Sequence, residues 1–191
     1  MTTIHKISLT ALITGLVASA AAFGAFSAFS ATTSNTGNSF ASGTVAIGDN
    51  DGGSAALYTS AANKPGDSVV SCIRVTYTGS LASSVKLYTP SVITNGTLFN
   101  LKVERGTQTA GVFPACWDFA ATSTVYDAAL GSFPTTYAAG SDGKAAAAAW
   151  ATSDTIAYRF TVTQNDDATV NAHTAVTSSG LHDFIWEARN N

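Results

Sequence analysis

Ser71-Cys-Ile-Arg-Val-Thr-Tyr77 is the stretch of sequence that decides the fold class. Its odd-numbered positions, which include Ile73 and Val75, fall on one face of an extended chain, and Cys72 and the other even-numbered positions fall on the opposite face. Successive side chains of a β-strand point to opposite faces, so this alternation predicts a strand with one buried and one solvated face. The turn Lys64-Pro-Gly-Asp67 marks where the strand starts, because Pro and Gly favour turns.

The same alternation recurs along the rest of the chain. We predict further strands over the segments Phe40–Ile47, Val85–Tyr88, Phe99–Glu104, Tyr158–Thr163 and Asp183–Ala188. Gly43 lies inside the first of these and predicts a bulge or a close backbone approach. Many short strands joined by turns rich in Gly, Pro and Asn predict an all-β fold, a jelly-roll-like β-sandwich that occupies residues 48–191.

One segment departs from the strand pattern. Lys144-Ala-Ala-Ala-Ala-Ala-Trp150 is dominated by Ala, which is the best helix former. It predicts a short helical turn in a connection between strands.

The N-terminal residues have the order of a secretory signal peptide. Lys6 is followed by an apolar core from Ile7 to Val17 and then by small residues mixed with Phe, a pattern typical of an exported protein. The small residues allow cleavage at several positions up to Ala31. An uncleaved transmembrane anchor is the alternative, because the uncharged stretch is long enough to span a bilayer. Its Ala, Gly and Ser content favours the cleaved leader, and we expect a secreted, extracellular or cell-surface protein.

Composition and charge exclude several classes of protein. Charged residues make up 11% of the chain and hydrophobic residues 46%, so the chain has enough apolar surface to fold. The formal net charge is −3, and losing Lys6 with the leader takes the basic residues from 9 to 8 against 12 acidic ones, which gives −4. Without a cluster of Lys and Arg we expect no nucleic-acid partner. Contact with a membrane is expected only through the leader before cleavage.

The chain has two cysteines, Cys72 and Cys116. In an oxidising compartment a disulfide between them is the default expectation, and the alternative is two separate buried thiols. A bridge that closes a loop of this length stabilises a fold by about 4 kcal/mol, because it lowers the conformational entropy of the unfolded chain. Two cysteines without suitably spaced histidines make a poor metal site.

Catalytic motifs are missing from the sequence. There is no His-Glu-x-x-His, no Gly-x-Ser-x-Gly and no phosphate-binding Gly-rich loop with Lys. His5 falls in the leader, and His173 and His182 could bind a metal only by joining Asp166, Asp167 or Asp183 through the fold. We therefore predict that the protein is not an enzyme and uses no cofactor.

Other residues allow both a functional and a structural interpretation. Asp49, Asn50 and Asp51 place three oxygen-bearing side chains on a tight loop, as calcium prefers, but the EF-hand pattern is incomplete and a simple turn is favoured. Asn95-Gly-Thr97 fits a glycosylation sequon and also fits a turn. The aromatic side chains of Trp117, Trp150 and Trp186 are compatible with a carbohydrate-binding strip, although core positions are favoured.

Several segments resemble the TasA/camelysin family of bacterial biofilm-matrix proteins. The most specific runs from Phe29 to Val45, where an aromatic residue after a small-residue leader is followed by the strand Phe40-Ala-Ser-Gly-Thr-Val45. The turn at Lys64–Asp67 with its strand, Leu101–Glu104 and the closing Phe184–Ala188 are also similar to TasA-like proteins of high-GC Gram-positive bacteria. The resemblance spans most of the chain and places cleavage between Ala28 and Phe29, so that residues 1–28 form the signal peptide.

The resemblance implies a jelly-roll domain that polymerises. In TasA-like fibres the extended N-terminal segment of one subunit inserts as a strand into the next. Residues 29–47 would then be an N-terminal extension and first strand that acts as a donor, with Phe29, Phe40, Val45 and Ile47 as its candidate contact residues. Backbone hydrogen bonds supply the affinity of such an interaction, and alternate side chains fill pockets.

Three hypotheses of function follow. The first is an exported structural subunit of an extracellular or cell-surface fibre, which associates with itself into filaments and with other matrix or surface proteins. The second is a secreted metalloprotease of camelysin type, implied only by the resemblance. The third is a monomeric surface adhesin or glycan-binding module that uses its Trp side chains.

Overall fold

The computed structural model describes residues 41–52, 56–59, 63–166 and 178–190. The predicted signal peptide, Phe29, Phe40, His173 and Asp167 lie outside these ranges. The chain divides into two compact units, Met1–Ala41 and Ser42–Asn191. Every strand given below belongs to the second unit. The domain boundaries predicted from the sequence stay predictions.

The described strands form two antiparallel sheets. The first sheet has the order β1 (Ile47–Asp49), β2 (Ser68–Tyr77), β7 (Thr155–Gln164), β4 (Phe99–Thr107) and β5 (Ala120–Ala129). The second sheet has the order β6 (Ser141–Asp142), β3 (Ser83–Tyr88) and β8 (Ile185–Asn190). The prediction of an all-β sandwich is confirmed, and its jelly-roll connectivity stays a prediction.

The alternation in β2 determines which face of the first sheet is buried. Ile73, Val75 and Tyr77 are almost completely buried, and Ile73 lies opposite Tyr158 of β7 in the sheet register. The inward residues of both sheets belong to one hydrophobic core, which also includes Leu87, Leu101, Val103, Trp150 and Phe160. Burial of each large apolar side chain contributes about 1.5–3 kcal/mol, so this core supplies most of the driving force for folding.

Helical structure among the described residues is confined to three short 3₁₀ turns. They span Gly96–Leu98, Leu130–Ser132 and Ala145–Ala147. The last of these lies within Lys144–Trp150, but Ala146 and Ala147 have left-handed φ values of 55° and 54°, so the segment is a tight turn and not the right-handed helical turn that its Ala content predicts. The described part of the chain contains no helix with the length and apolar character needed to cross a membrane.

The first strand differs from its predicted bounds of Phe40–Ile47. The described strand is Ile47–Asp49, and residues before it pair irregularly with the chain that follows β2. The N–H groups of Ser80 and Leu81 both donate to Thr44 O. A Cβ placed on Gly43 would lie 2.3 Å from Leu81 Cδ2, so it is the Leu81 side chain, and not the predicted backbone, that approaches this glycine closely. The irregular pairing explains why the regular ladder starts only at Ile47.

Candidate functional site: the open edge of the second sheet

The outer edge of β8 carries backbone groups without a described partner. On β3, Ser83 and Val85 bond towards β6, since Ser83 N–H donates to Trp150 O and Val85 O accepts from Gly143 N–H. Bonding direction alternates along an antiparallel strand, so the residues of β3 that bond β8 are the even-numbered ones. Their partners on β8 are Ile185, Glu187 and Arg189. Trp186 and Ala188 alternate with these three residues, so their N–H and C=O groups point away from β3, towards the outer edge of the sheet.

The inward side of β8 is also incompletely covered. Phe184, Trp186 and Ala188 pack against the core but remain only partly buried. Trp186 contacts Phe160 with ring centroids 5.9 Å apart, and Phe184 contacts the same ring at 4.9 Å. A strand added at this edge would pair with the outward N–H and C=O groups and cover the half-buried apolar side chains.

The opposite sheet protects its own long edge. Strand β5 is the outermost strand of the first sheet, and its register with β4 shifts twice. Val103 pairs with Tyr126 but Glu104 with Thr124, so Val125 is an extra residue on β5. Arg105 pairs with Ser123 but Gly106 with Ala121, so Thr122 is a second one. Such bulges twist an edge strand and discourage further pairing. Among the described strands, β8 is therefore the better acceptor.

The candidate donor residues fall into two groups. Ile47 is in β1, opposite Tyr77, and Val45 lies between Thr44 and Ala46, whose carbonyls accept hydrogen bonds from residues 78–81 of the same chain. Both are thus anchored within their own subunit. Phe29 and Phe40 lie outside the described residues, so their contribution stays a prediction.

The predicted disulfide is present. Cys72 on the outer face of β2 is bonded to Cys116, which lies in the loop of residues 108–119 between β4 and β5. Cys72 N–H also donates to Pro114 O over 2.9 Å, and the Phe113–Pro114 peptide is cis. The β4–β5 loop thus crosses the outer face of the first sheet and covers Cys72, which is fully buried.

Asp118 organises this loop, although no motif in the sequence points to it. Its carboxylate accepts hydrogen bonds from the backbone N–H groups of Thr109, Ala110 and Gly111 at 2.7–2.9 Å. These bonds, that from Ala110 foremost, lower the pKa of Asp118 to about 2, against a smaller opposing effect of desolvation. A single Asp soon after a Cys carries no specific signal in the sequence, because most of its partners are backbone N–H groups.

The Trp residues do not form one strip. Trp150 is completely buried and Trp186 is partly buried, which agrees with the core interpretation for both. The core prediction is wrong for Trp117, which is 71% exposed. Trp117 directly follows Cys116, so the disulfide holds it on the outer face of the sheet, away from the core.

His182 has a structural role in the described chain. Its Nδ1 lies 3.1 Å from Gly180 O and its Nε2 is hydrogen-bonded to the Tyr58 hydroxyl. Burial raises the pKa of Tyr58 well above its ordinary value. Both ring nitrogens of His182 are engaged, and the described ranges bring no three His, Cys, Asp or Glu side chains together as metal ligands.

The turn at Asp49, Asn50 and Asp51 joins β1 to β2. Asn50 Oδ1 accepts the N–H of Arg74 over 2.7 Å, and Asn50 N–H donates to Arg74 O. Asp49 Oδ1 accepts the N–H of Asp51. Burial, and after it the neighbouring Asp51, raises the pKa of Asp49. These contacts are those of a turn, the interpretation that the sequence favours over a calcium site.

The Asn95 sequon lies in an exposed left-handed turn. Asn95 has φ 50° and precedes the 3₁₀ turn at Gly96–Leu98. Its side-chain Nδ2 donates to Ser178 O over 3.0 Å. The side chain therefore ties the loop after β3 to the segment before β8.

Comparison of the sequence with family models and with curated proteins gave no match. The likeness to the TasA/camelysin family rests on the short motifs of the sequence itself.

Proposed function

We propose that the protein is an exported structural subunit of an extracellular or cell-surface fibre of the biofilm-matrix type, assembled by N-terminal strand donation. The observation that carries this proposal is the outer edge of β8, which has no partner strand among the described residues. The backbone groups of Trp186 and Ala188 point outward there, and partly buried side chains lie beside them. The leader predicted over residues 1–28 and the Cys72–Cys116 disulfide are compatible with export.

The donor is the segment before the sandwich. Residues 29–40 can extend to about 40 Å at roughly 3.3 Å per residue, whereas β8 needs about 20 Å to be paired along its length. Ile47 would remain in the donor subunit's own sheet, and Val45 in the irregular pairing beside it. This narrows the donor predicted from the sequence to the part between Phe29 and Phe40. The two rings are 11 positions apart, about 36 Å in an extended chain, so only one of them can fill a pocket beside β8 in a given register.

The resulting contact generates a filament. A strand that leaves one copy and pairs with another is a heterologous contact, and it repeats indefinitely unless the rotation closes a ring. Each added strand would satisfy the outward N–H and C=O groups of Trp186 and Ala188 and bury more of their side chains. Both effects favour association over the isolated subunit.

The test compares two proteins that differ only in the donor. One starts at Phe29 and the other at Ser42, and both are imaged by electron microscopy at matched concentrations. Filaments are expected from the first protein only. The Ser42 protein keeps the pairing of Thr44 with Leu81, so it should fold, and its melting curve checks this.

A matched control separates the sequence of the donor from its length. Residues 29–40 are replaced by a Gly/Ser segment of equal length, and this protein should stay monomeric. Unchanged fibres from the Ser42 protein would rule out strand donation. Persistent monomers of the Phe29 protein under all conditions would contradict the fibre function itself.

The exposed Trp117 supports a second candidate function, that of a glycan-binding adhesin. Its indole is 71% exposed on a loop fixed by the disulfide, and flat aromatic surfaces of this kind bind ligands at low entropic cost. A glycan array compares the protein with Trp117→Ala. Hits that disappear in the variant would favour the adhesin, and an array without hits would leave the fibre subunit as the remaining proposal.

A further inference from the structure

Asn95-Gly96 is the only Asn-Gly pair in the sequence, and Asn95 is exposed in the left-handed turn after β3. Asparagine before glycine is the pair most prone to deamidation, because glycine has no Cβ to hinder attack by its own nitrogen. In that reaction the Gly96 nitrogen bonds to Cγ of Asn95, and Nδ2 leaves as ammonia with the proton of the Gly96 N–H. Water then opens the cyclic imide to aspartate or isoaspartate, so the reaction needs no oxidant.

The backbone of the turn keeps the two reacting groups apart. Ring closure requires the Gly96 nitrogen and the Cβ of Asn95 to lie on the same side of the Asn95 Cα–C bond. With φ at 50° and ψ at 22°, the nitrogen lies on the far side of this bond. The Gly96 N–H also donates to Ile93 O over 3.2 Å, so the proton that the reaction must remove is engaged. The ring therefore cannot close in this conformation.

Contacts from distant parts of the chain hold the turn in place. Gly96 is buried against the 3₁₀ turn that follows β5, where a Cβ on Gly96 would lie 2.4 Å from Gly131 Cα. The Nδ2 of Asn95, which is the leaving group of the reaction, donates to Ser178 O over 3.0 Å. The turn can reach the reactive conformation only by separating from both of these segments.

We propose that Asn95 is a latent modification site that works as a one-way switch: the docked turn protects it, and deamidation after a local opening prevents the turn from docking again. The carboxylate produced has no N–H to donate to Ser178 O and accepts hydrogen bonds only. Isoaspartate also lengthens the backbone by a methylene group beside Gly96, where there is no free space. This inference is independent of the proposed fibre function.

The first experiment measures the protection. The purified protein and a synthetic peptide of residues 90–100 are incubated in the same buffer, and deamidation of Asn95 is followed by mass spectrometry. Because only the open form reacts, the ratio of the two rates reports the population that is open. The folded protein should react at least about tenfold more slowly than the peptide, which corresponds to about 1.4 kcal/mol. Equal rates would refute the protection, and a peptide that does not react would refute the site.

Gly131→Ala weakens the protection without changing the reacting residues. Its Cβ would lie 3.1 Å from Gly96 C and Cα, which is tighter than an ordinary contact, so the turn should open more often. Asn95 should then deamidate at least about fivefold faster than in the wild type. An unchanged rate would refute the role of this contact. If the variant does not fold, as judged by its melting curve, the comparison of the wild type with the peptide still decides.

Asn95→Gln is the matched control for the chemistry. Its side chain keeps an amide but closes such a ring far more slowly, because it is longer by a methylene group. This variant should show no mass gain in the peptide that contains position 95. The same gain as in the wild type would show that another residue is the one modified.

Asn95→Asp tests the second half of the switch, because it reproduces one product of the reaction. Backbone amides in residues 92–98 and 178–184 should exchange hydrogen at least about fivefold faster than in the wild type, the effect of one lost hydrogen bond. Ser91→Asp adds the same charge at an exposed position of the same loop and should leave the exchange unchanged. Wild-type exchange in Asn95→Asp, or equal acceleration in both variants, would overturn the switch.

Discussion

Cys116 is bonded to Cys72 across the outer face of the first sheet, so a loop that starts at the end of β4 is fastened to β2, two strands away in the sheet order. Gln108 Nε2 donates to Ala115 O within this loop, and Arg74 Nη1 donates to Thr109 O from β2. The loop is thus held to the sheet by a covalent bond and by hydrogen bonds.

Removal of the disulfide should lower stability without changing the fold. The cysteines are 44 positions apart, and a bridge over such a loop contributes about 4 kcal/mol by limiting the unfolded chain. In a domain of this size that is a fall in Tm of roughly 8–16 °C. Calorimetry of the double variant with Cys72→Ala and Cys116→Ala measures this fall in Tm. A Tm equal to that of the oxidised wild type would show that the bridge does not stabilise the protein.

Asp118 should titrate at unusually low pH. Its ordinary pKa is 3.8 and its folded pKa is lowered to about 2, so it stabilises the loop fully at neutral pH. This contribution is lost as the pH falls from about 4 towards 2. Carbon NMR of the Asp118 carboxyl group should give a midpoint near 2, and the emission of the exposed Trp117 should change over the same range. In Asp118→Asn the emission should no longer depend on pH there. A midpoint near 3.8 would contradict the proposed role of the backbone N–H groups.

Trp150 and Trp117 should respond oppositely to truncation. Trp150 is completely buried in the core, so Trp150→Ala should cost about 3–5 kcal/mol through the cavity it leaves. Trp117→Ala removes an exposed side chain and should change stability by no more than about 0.5 kcal/mol. Urea unfolding measures both values. Equal losses in the two variants would show that Trp117 is packed against the sheet.

The sequence predicted strands wherever the alternation was regular. Strands β2, β3, β4, β7 and β8 each overlap a predicted segment. Strand β5 was missed because its bulges at Thr122 and Val125 break the alternation along Ala120–Ala129. The exposure of Trp117 could not be predicted either, since it depends on a covalent bond to a residue distant in the chain. The open edge of β8 likewise depends on the order of the strands, which the local pattern does not contain.

The last prediction distinguishes the edge of β8 from its paired side. Ala188→Pro removes an N–H that points away from β3, so the pairing of β3 with β8 should survive. A strand added at the outer edge of β8 would lose one hydrogen bond and clash with the proline ring. The variant should fold, as judged by its melting curve, and should form no filaments under the electron microscope.

Two substitutions make this test specific. Ala188→Ser keeps the N–H and should assemble like the wild type. Glu187→Pro removes an N–H that bonds β3, so it should lower the melting temperature instead of affecting assembly alone. Strand donation requires unpaired N–H and C=O groups on the receiving strand. Normal filaments from Ala188→Pro would therefore exclude β8 as the acceptor. The bulged edge of β5 would then be the remaining described edge of comparable length.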